Sequence, residues 1–207
     1  MKVAAVVLAA GGSTRLGRPK QFVRFAGETL IRRAVRTAND AVGREPVVVA
    51  GEAVDAIRAE LTGLPATVVE NADWRTGMAS SLIAGLNAAV AATPEIDALL
   101  ITLCDQPFVV SVHLRRLIEQ HWSYGLQATA SQFHNSCGPP AVFSRELFDE
   151  IRQLKGEMGA KRILTGLGDR LACMDLPEAG VDIDWPEDLK QLDLADVRGN
   201  QQRDSKS

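Results

Sequence analysis

An α/β fold is the class this sequence predicts, on three observations. Short apolar runs rich in β-branched residues, starting with Val3–Ala9, have the length and content of fully buried strands. Between them stand stretches with an apolar stripe at helical spacing. The strongest run, Ala98–Leu103, leads into Cys104-Asp105-Gln106-Pro107, so an acid stands at the carboxyl end of a strand, where open α/β sheets bind ligands.

At 207 residues the chain suits one domain, taken as residues 1–197, followed by a polar tail at 198–207 expected to be disordered. Apolar residues at 46% and charged residues at 24% are ordinary for a soluble globule. A net charge of −3 advertises neither nucleic acid nor membrane as a partner, so any anion site must be local. Three widely spaced cysteines, Cys104, Cys137 and Cys173, contain no C-x-x-C and read as reduced thiols rather than disulfides or a zinc site. Met1-Lys2 runs straight into a strand without the features of a signal peptide, and no apolar run is long enough for a membrane span. The expected compartment is the cytoplasm.

The first strand opens into Leu8-Ala9-Ala10-Gly11-Gly12-Ser13-Thr14-Arg15-Leu16-Gly17-Arg18-Pro19-Lys20. Gly11 and Gly12 let backbone N–H groups approach an anion, Ser13 and Thr14 offer hydroxyls, and Arg15, Arg18 and Lys20 bring three cations. Such a turn can cradle a polyphosphate. The spacing fits neither G-x-x-x-x-G-K-[ST] nor G-x-G-x-x-G, and an ordinary glycine-rich turn is the rival reading. A helix follows over 28–39, its stripe made by Leu30, Ile31, Ala34, Val35 and Ala38, with Arg32, Arg33 and Arg36 toward water. Strand 46–50, helix 52–61 and strand 66–69 come next.

Asn71 to Leu86 joins a cluster of Asn71, Trp74 and Arg75 to a helix start at Gly77. Ser80 and Ser81 stand where helix N–H groups lack partners, which plain capping explains; the preceding cluster has no fold duty and reads as a second wall of a nucleotide pocket. Beyond strand 98–103, Asp105 reads either as a cap or as a metal ligand; Pro107 and Phe108 separate it from the helix at 111–121, for which Ser111 is the better cap, so Asp105 is the first candidate metal ligand. Strand 128–131 leads to a rigid turn at 134–140, where His134 and Cys137 lack further ligands and read as loop residues, and then to 141–143. Ser144 is read as the cap of a helix through Ile151. A flexible turn at Gly156 feeds another helix, where Lys161 and Arg162 oppose the dipole and hint at an anionic ligand. After strand 171–174, Asp182 and Asp184 flank Ile183 and point one way if extended, an arrangement a cation between them would relieve. Asp184 can alternatively cap the turn begun by Pro186.

Four blocks, L-A-A-G-G-S-T-R-L-G-R-P-K, N-x-x-W-x-x-G-M-x-x-S-L-x-x-G-L, L-C-D-Q-P and D-I-D-x-P-E-D-L, together resemble the molybdenum cofactor nucleotidyltransferases, most of all their cytidylyltransferase branch. The resemblance implies a Rossmann-like three-layer α/β/α sandwich of the GT-A nucleotidyltransferase type, with a mostly parallel sheet. It implies that Leu8, Ala9, Ala10, Gly11, Gly12, Ser13, Arg15 and Lys20 hold a triphosphate, and that Gly77 and Ser81 face the base and ribose. Asp105 and Asp182 would hold Mg²⁺ with Asp184 beside them, and Arg15, Lys20 and Asp105 would be the catalytic groups. Gln106, Gly138 and Lys161 are the expected acceptor contacts. Ala10 favours CTP over GTP, since the guanylyl-transferring branch tends to read L-A-G-G. Trp185 stands where Thr is usual, and Cys137-Gly138-Pro139-Pro140 replaces a G-H-P or G-N-P turn.

The implied reaction is attack of an acceptor phosphate on the α-phosphorus of the triphosphate, with molybdopterin as acceptor and a molybdoenzyme or its chaperone as a further partner. A sugar- or alditol-phosphate nucleotidyltransferase and a non-catalytic nucleotide-binding accessory protein for molybdoenzyme maturation are the alternatives.

Overall fold

The computed structural model describes residues 1–13, 15–190 and 192; Thr14 and the tail at 198–207 lie outside the described residues. From β1 (Val3–Ala9) the chain passes a two-stranded hairpin, β2 (Arg24–Phe25) and β3 (Glu28–Thr29), and enters α1 (Leu30–Val42). β4 (Val47–Ala50), α2 (Val54–Glu60), β5 (Thr67–Glu70), α3 (Met78–Ala92), β6 (Ala98–Leu103) and α4 (Ser111–Tyr124) continue the alternation. The chain closes with β7 (Ala128–Phe133), β8 (Ser136–Ser144), α5 (Phe148–Arg152), α6 (Ala160–Gly166) and β9 (Leu171–Asp175).

Seven strands form one sheet in the order β5-β4-β1-β6-β8-β7-β9. β8 alone runs against the others, pairing antiparallel with both β6 and β7, so the sheet is mostly parallel as expected. Alternate strand residues feed two cores. Val6, Leu8, Val49 and Ile101 pack with α3, α5 and α6 on one face, while Val7, Val48 and Leu100 pack with α1, α2 and α4 on the other. The result is three α/β/α layers.

Locally the structure departs from the sequence expectation at several points. The predicted start of α1 at Glu28 belongs instead to the hairpin, because Ala26 and Gly27 take positive φ (51° and 83°) and turn the chain back. Thr29 then caps α1, accepting from the Arg32 N–H at 3.4 Å. Arg33 does not simply face water: its Nε donates to the Pro107 carbonyl at 2.6 Å and so braces the loop after Asp105. Ser111 is the first residue of α4 rather than its cap; the Val110 N–H meets His113 Nδ1 at 3.4 Å. The turn read over 134–140 shrinks to His134 and Asn135, both at positive φ (47° and 59°), and β8 begins at Ser136. Its two prolines are accommodated because the register with β7 breaks there, Ala130 facing Ala141 and Ser131 facing Gly138.

Cys137 and Cys173 are not free thiols. They lie on β8 and β9, on either side of β7, and come within 6.2 Å between Cα atoms to form a disulfide. Spacing of 36 residues carries no hint of this, since only the sheet order brings them together. Cys104 is a free thiol, as expected, and it is buried.

Ser144 caps nothing; its hydroxyl meets His121 Nε2 at 3.2 Å across to α4. Burial holds the His121 pKa below the usual imidazole value. Below about pH 6.5 the unfolded chain binds a proton that the folded chain refuses, so stability is lost as pH falls through that value. Between pH 6.5 and 5 the wild-type Tm is expected to drop more steeply than that of His121→Gln, and parallel slopes in a thermal melt would refute this.

Candidate functional site

The parallel pairing of β1 with β6 sets Leu8 beside Leu103, so the two strands end together and their following turns face one another. A cavity of about 560 Å³ opens there. Leu8 and Ala10 come from the first strand's end and Leu103, Cys104 and Asp105 from the other. Gly11, Gly12 and Lys20 form one wall; Trp74, Arg75, Gly77, Met78 and Ser81 form the opposite one, with Glu157 at its edge.

The glycine turn is held from within. Gln21, which the sequence reading passed over, is buried and donates through Nε2 to the carbonyls of Ala9 (2.8 Å) and Gly11 (3.1 Å). The backbone N–H of Lys20 donates to Ser13 Oγ at 2.9 Å. Ser13 and Ala9 therefore face a smaller side cavity of about 110 Å³ that shares Ala10, Gly11, Gly12 and Trp74 with the main one. Arg15 lies outside both linings; its side chain, 63% exposed, reaches toward Asp184 at 3.9 Å and stands 5.5 Å over the Trp185 ring.

Across the cavity Lys20 Nζ donates to Asp105 Oδ2 and, at 2.8 Å, to Asp184 Oδ1. These three residues come from the loop after β1, the end of β6 and the segment before Pro186. The last is docked by the Ile183 N–H donating to the Asp105 carbonyl at 3.1 Å, with the Ile183 side chain buried beside Leu16 and Leu30. Asp184 caps nothing: Asp188 Oδ2 accepts from the N–H groups of Asp184 (3.0 Å) and Trp185 (2.8 Å) instead.

Burial disfavours the Lys20 charge, but attraction to Asp105 and the hydrogen bonds to Asp105 and Asp184 outweigh it and raise its pKa. Asp182 keeps solvent access at the rim, yet the protein mass around it and the carboxylates of Asp105 and Asp184 push its pKa up to about 7, against the pull of Lys20 and the Gln106 amide. Burial and the Asp105 charge push the Cys104 thiol to about 12, so it stays protonated. Asp105 Oδ1 is buried with no hydrogen-bond partner. Among the described residues no three His, Cys, Asp or Glu side chains are gathered into a metal site.

The second wall has its own scaffold. Asn71 Nδ2 donates to Ser80 Oγ (2.8 Å) and Ser81 Oγ (3.0 Å), so these serines are tied to the preceding loop rather than capping α3. Gly77 sits at φ 117° and ψ 175°, and a Cβ there would fall 2.3 Å from the Gly156 backbone. Ala79 N–H meets that same Gly156 carbonyl at 3.1 Å, which is how Glu157 reaches the cavity. Gly77→Ala is expected to cost about 1–3 kcal/mol in a chemical melt and to weaken nucleotide binding; a variant as stable as wild type would contradict the packing described.

The expected acceptor contacts are not brought to the cavity wall. Gln106 is buried and donates to the carbonyls of Ala179 (2.7 Å) and Pro139 (3.1 Å). Gly138 is buried in β8 against the Phe133 ring, and Lys161 is exposed on α6. Met78, Leu103, Cys104 and Glu157 line the cavity without having been singled out from sequence. The motif spacing carries a signal for Met78, Leu103 and Cys104, which stand inside the quoted blocks; Glu157 arrives through a long-range contact.

A mostly parallel three-layer sheet with a glycine turn, a lysine and a strand-end aspartate converging on one cleft defines a nucleotidyltransferase of the NTP-transferase class. The MobA-like NTP transferase domain matches residues 5–171, and the chain belongs to that family. It is 32% identical to nicotine blue oxidoreductase of Paenarthrobacter nicotinovorans over 92% of this chain and 96% of that one. It is 30% identical to the purine catabolism protein PucB of Bacillus subtilis, over 90% and 94% of the two chains. The crystal structure of Rv0371c from Mycobacterium tuberculosis superposes with a TM-score of 0.76 at 28% identity, covering 93% of this chain and 98% of that one. A manganese complex of Rv0371c gives 0.71 at 26% identity, with the same coverage. No described helix is long and apolar enough to cross a membrane.

Proposed function

We propose that the chain transfers a cytidylyl group from CTP to a phosphate-bearing acceptor, with molybdopterin as the favoured acceptor and Mg²⁺ as the cofactor. The observation that carries this reading is the meeting of Lys20 with Asp105 and Asp184 at the mouth of a cleft walled by Gly11 and Gly12. Ala10 in the cavity lining supports CTP over GTP through the L-A-A-G resemblance.

Whether the residues suit a divalent cation is tested by Asp105 Oδ1, a buried carboxylate oxygen with no donor of its own. The donors fit: Asp105 would hold the ion, with Asp182 and Asp184 supplying further hard oxygens. The manganese complex of a solved relative supports the same class of ion. Bound there, Mg²⁺ would neutralise phosphate charge and polarise the α-phosphoryl group. The protein's own groups do the rest. The N–H groups of Gly11 and Gly12 and the Lys20 ammonium hold the β- and γ-phosphates and align the α-phosphorus. An acceptor phosphate oxygen bonds to that phosphorus as the bond to the bridging oxygen breaks, and pyrophosphate leaves carrying the electron pair. The acceptor is already anionic, so no general base is called for. Lys20 meets the charge gathering on the leaving group.

Pyrophosphate release in the presence of Mg²⁺ tests the reading. Release is expected with CTP plus molybdopterin, above GTP and above an alditol phosphate. A preference for the alditol phosphate would move the acceptor class, and tight CTP binding without turnover would make the protein an accessory nucleotide binder. Reduction of nicotine blue without pyrophosphate release would align it with the oxidoreductase named among its relatives.

A further inference from the structure

We propose that Lys20 is a latch on the metal carboxylates: without nucleotide its ammonium occupies the cation's place between Asp105 and Asp184, so a divalent ion enters with the triphosphate and not before it. The inference rests on the nucleotidyl-transfer reading and concerns the order of binding. Its first ground is occupancy. Lys20 Nζ donates to both carboxylates, and the Lys20 and Asp105 side chains are only 15% and 12% exposed, while Asp184, at 41%, leaves the outer side of the pair open to solvent. Two cations sharing carboxylates at such separations repel one another strongly in a partly dehydrated cleft. The second ground is what the latch leaves idle. Asp105 Oδ1 is buried without a donor. The ammonium satisfies one oxygen of Asp105 and leaves the other ready.

The third ground is reach. The Lys20 stem runs past Gly11, where a Cβ would lie 3.8 Å from Lys20 Cε, so the ammonium is tethered beside the backbone expected to receive the phosphates. A polyphosphate arriving on Gly11 and Gly12 offers the ammonium several anionic oxygens. Rotation about the side chain's own bonds then carries it from carboxylates to phosphate, and the vacated oxygens take the ion. Positive charge is exchanged within the cleft and no residue is left unpaired.

Linkage makes the exchange measurable: if nucleotide raises metal affinity, metal raises nucleotide affinity by the same factor. Mn²⁺ binding to the whole protein, read from the free-ion EPR signal, is the probe. Without nucleotide, Lys20→Met and Lys20→Gln are expected to bind Mn²⁺ at least about tenfold more tightly than wild type. Adding CTP should tighten Mn²⁺ on the wild type by about the same factor or more, after allowing for Mn²⁺ held by free CTP. Circular dichroism confirms that each variant is folded, and the wild-type comparison with and without CTP needs no variant. Wild-type protein that binds Mn²⁺ alone as tightly as both variants would overturn the latch. A wild type that binds CTP by calorimetry yet holds Mn²⁺ no more tightly for it would also overturn the latch, whereas tighter Mn²⁺ binding by the variants with no CTP binding at all would refute the nucleotide reading.

Discussion

Replacing Lys20 with methionine is expected to lower turnover by about 10²–10³-fold while changing CTP affinity by less than about tenfold. In the resting site the ammonium pairs with Asp105 and Asp184, so part of its attraction to substrate phosphate is offset by the partners it leaves. The full charge counts only when the leaving group becomes more negative than the bound triphosphate was, which is an interaction specific to the transition state. Methionine keeps the length of the stem and removes the charge. Single-turnover rates set against calorimetric CTP affinity separate the two contributions, and equal losses in both would reduce Lys20 to a binding residue.

Asp105→Asn is expected to lower turnover more, by about 10²–10⁴-fold, the range that several kcal/mol of lost charge stabilisation implies. The substitution retains shape, and the backbone carbonyl that receives the Ile183 N–H is untouched. Asp184 still accepts from Lys20 Nζ, so the fold should persist at some cost in stability from the lost ion pair, while Asp105 Oδ1, a buried carboxylate oxygen without a donor among the described residues, gives way to an uncharged amide atom. The rate should also lose its saturable dependence on Mn²⁺. Activity within tenfold of wild type, with metal dependence intact, would assign the ion to other ligands.

Much of this was legible from residue order alone. The β-branched run of β1 and the apolar run of β6 specify buried strands whatever surrounds them, and the turns at their carboxyl ends then face one cleft. That is why Lys20 and Asp105, 85 positions apart, could be expected to meet. What sequence could not supply are features decided by sheet order. The Cys137–Cys173 disulfide needs β8 and β9 flanking β7, and β8 itself, with two prolines in a break of register, has the local composition of a turn. Polar residues beside a motif find partners that sequence order does not reveal. Gln106 follows the strand-end acid and looks like a ligand contact, but two carbonyls from distant segments take its amide. Ser80 and Ser81 look like caps until Asn71 is folded against them. Gln21, which shapes the glycine turn, carries no pattern of its own because its partners are main-chain oxygens.

A crystal structure with Mn²⁺ and a non-hydrolysable CTP analogue would show whether Lys20, Asp105 and the glycine turn meet on one metal triphosphate. Anomalous density for the ion is expected on Asp105, the triphosphate along Gly11 and Gly12, and Lys20 Nζ moved from the carboxylates to phosphate. An ion or nucleotide seated elsewhere, with Lys20 still bonded to Asp105 and Asp184, would contradict that expectation.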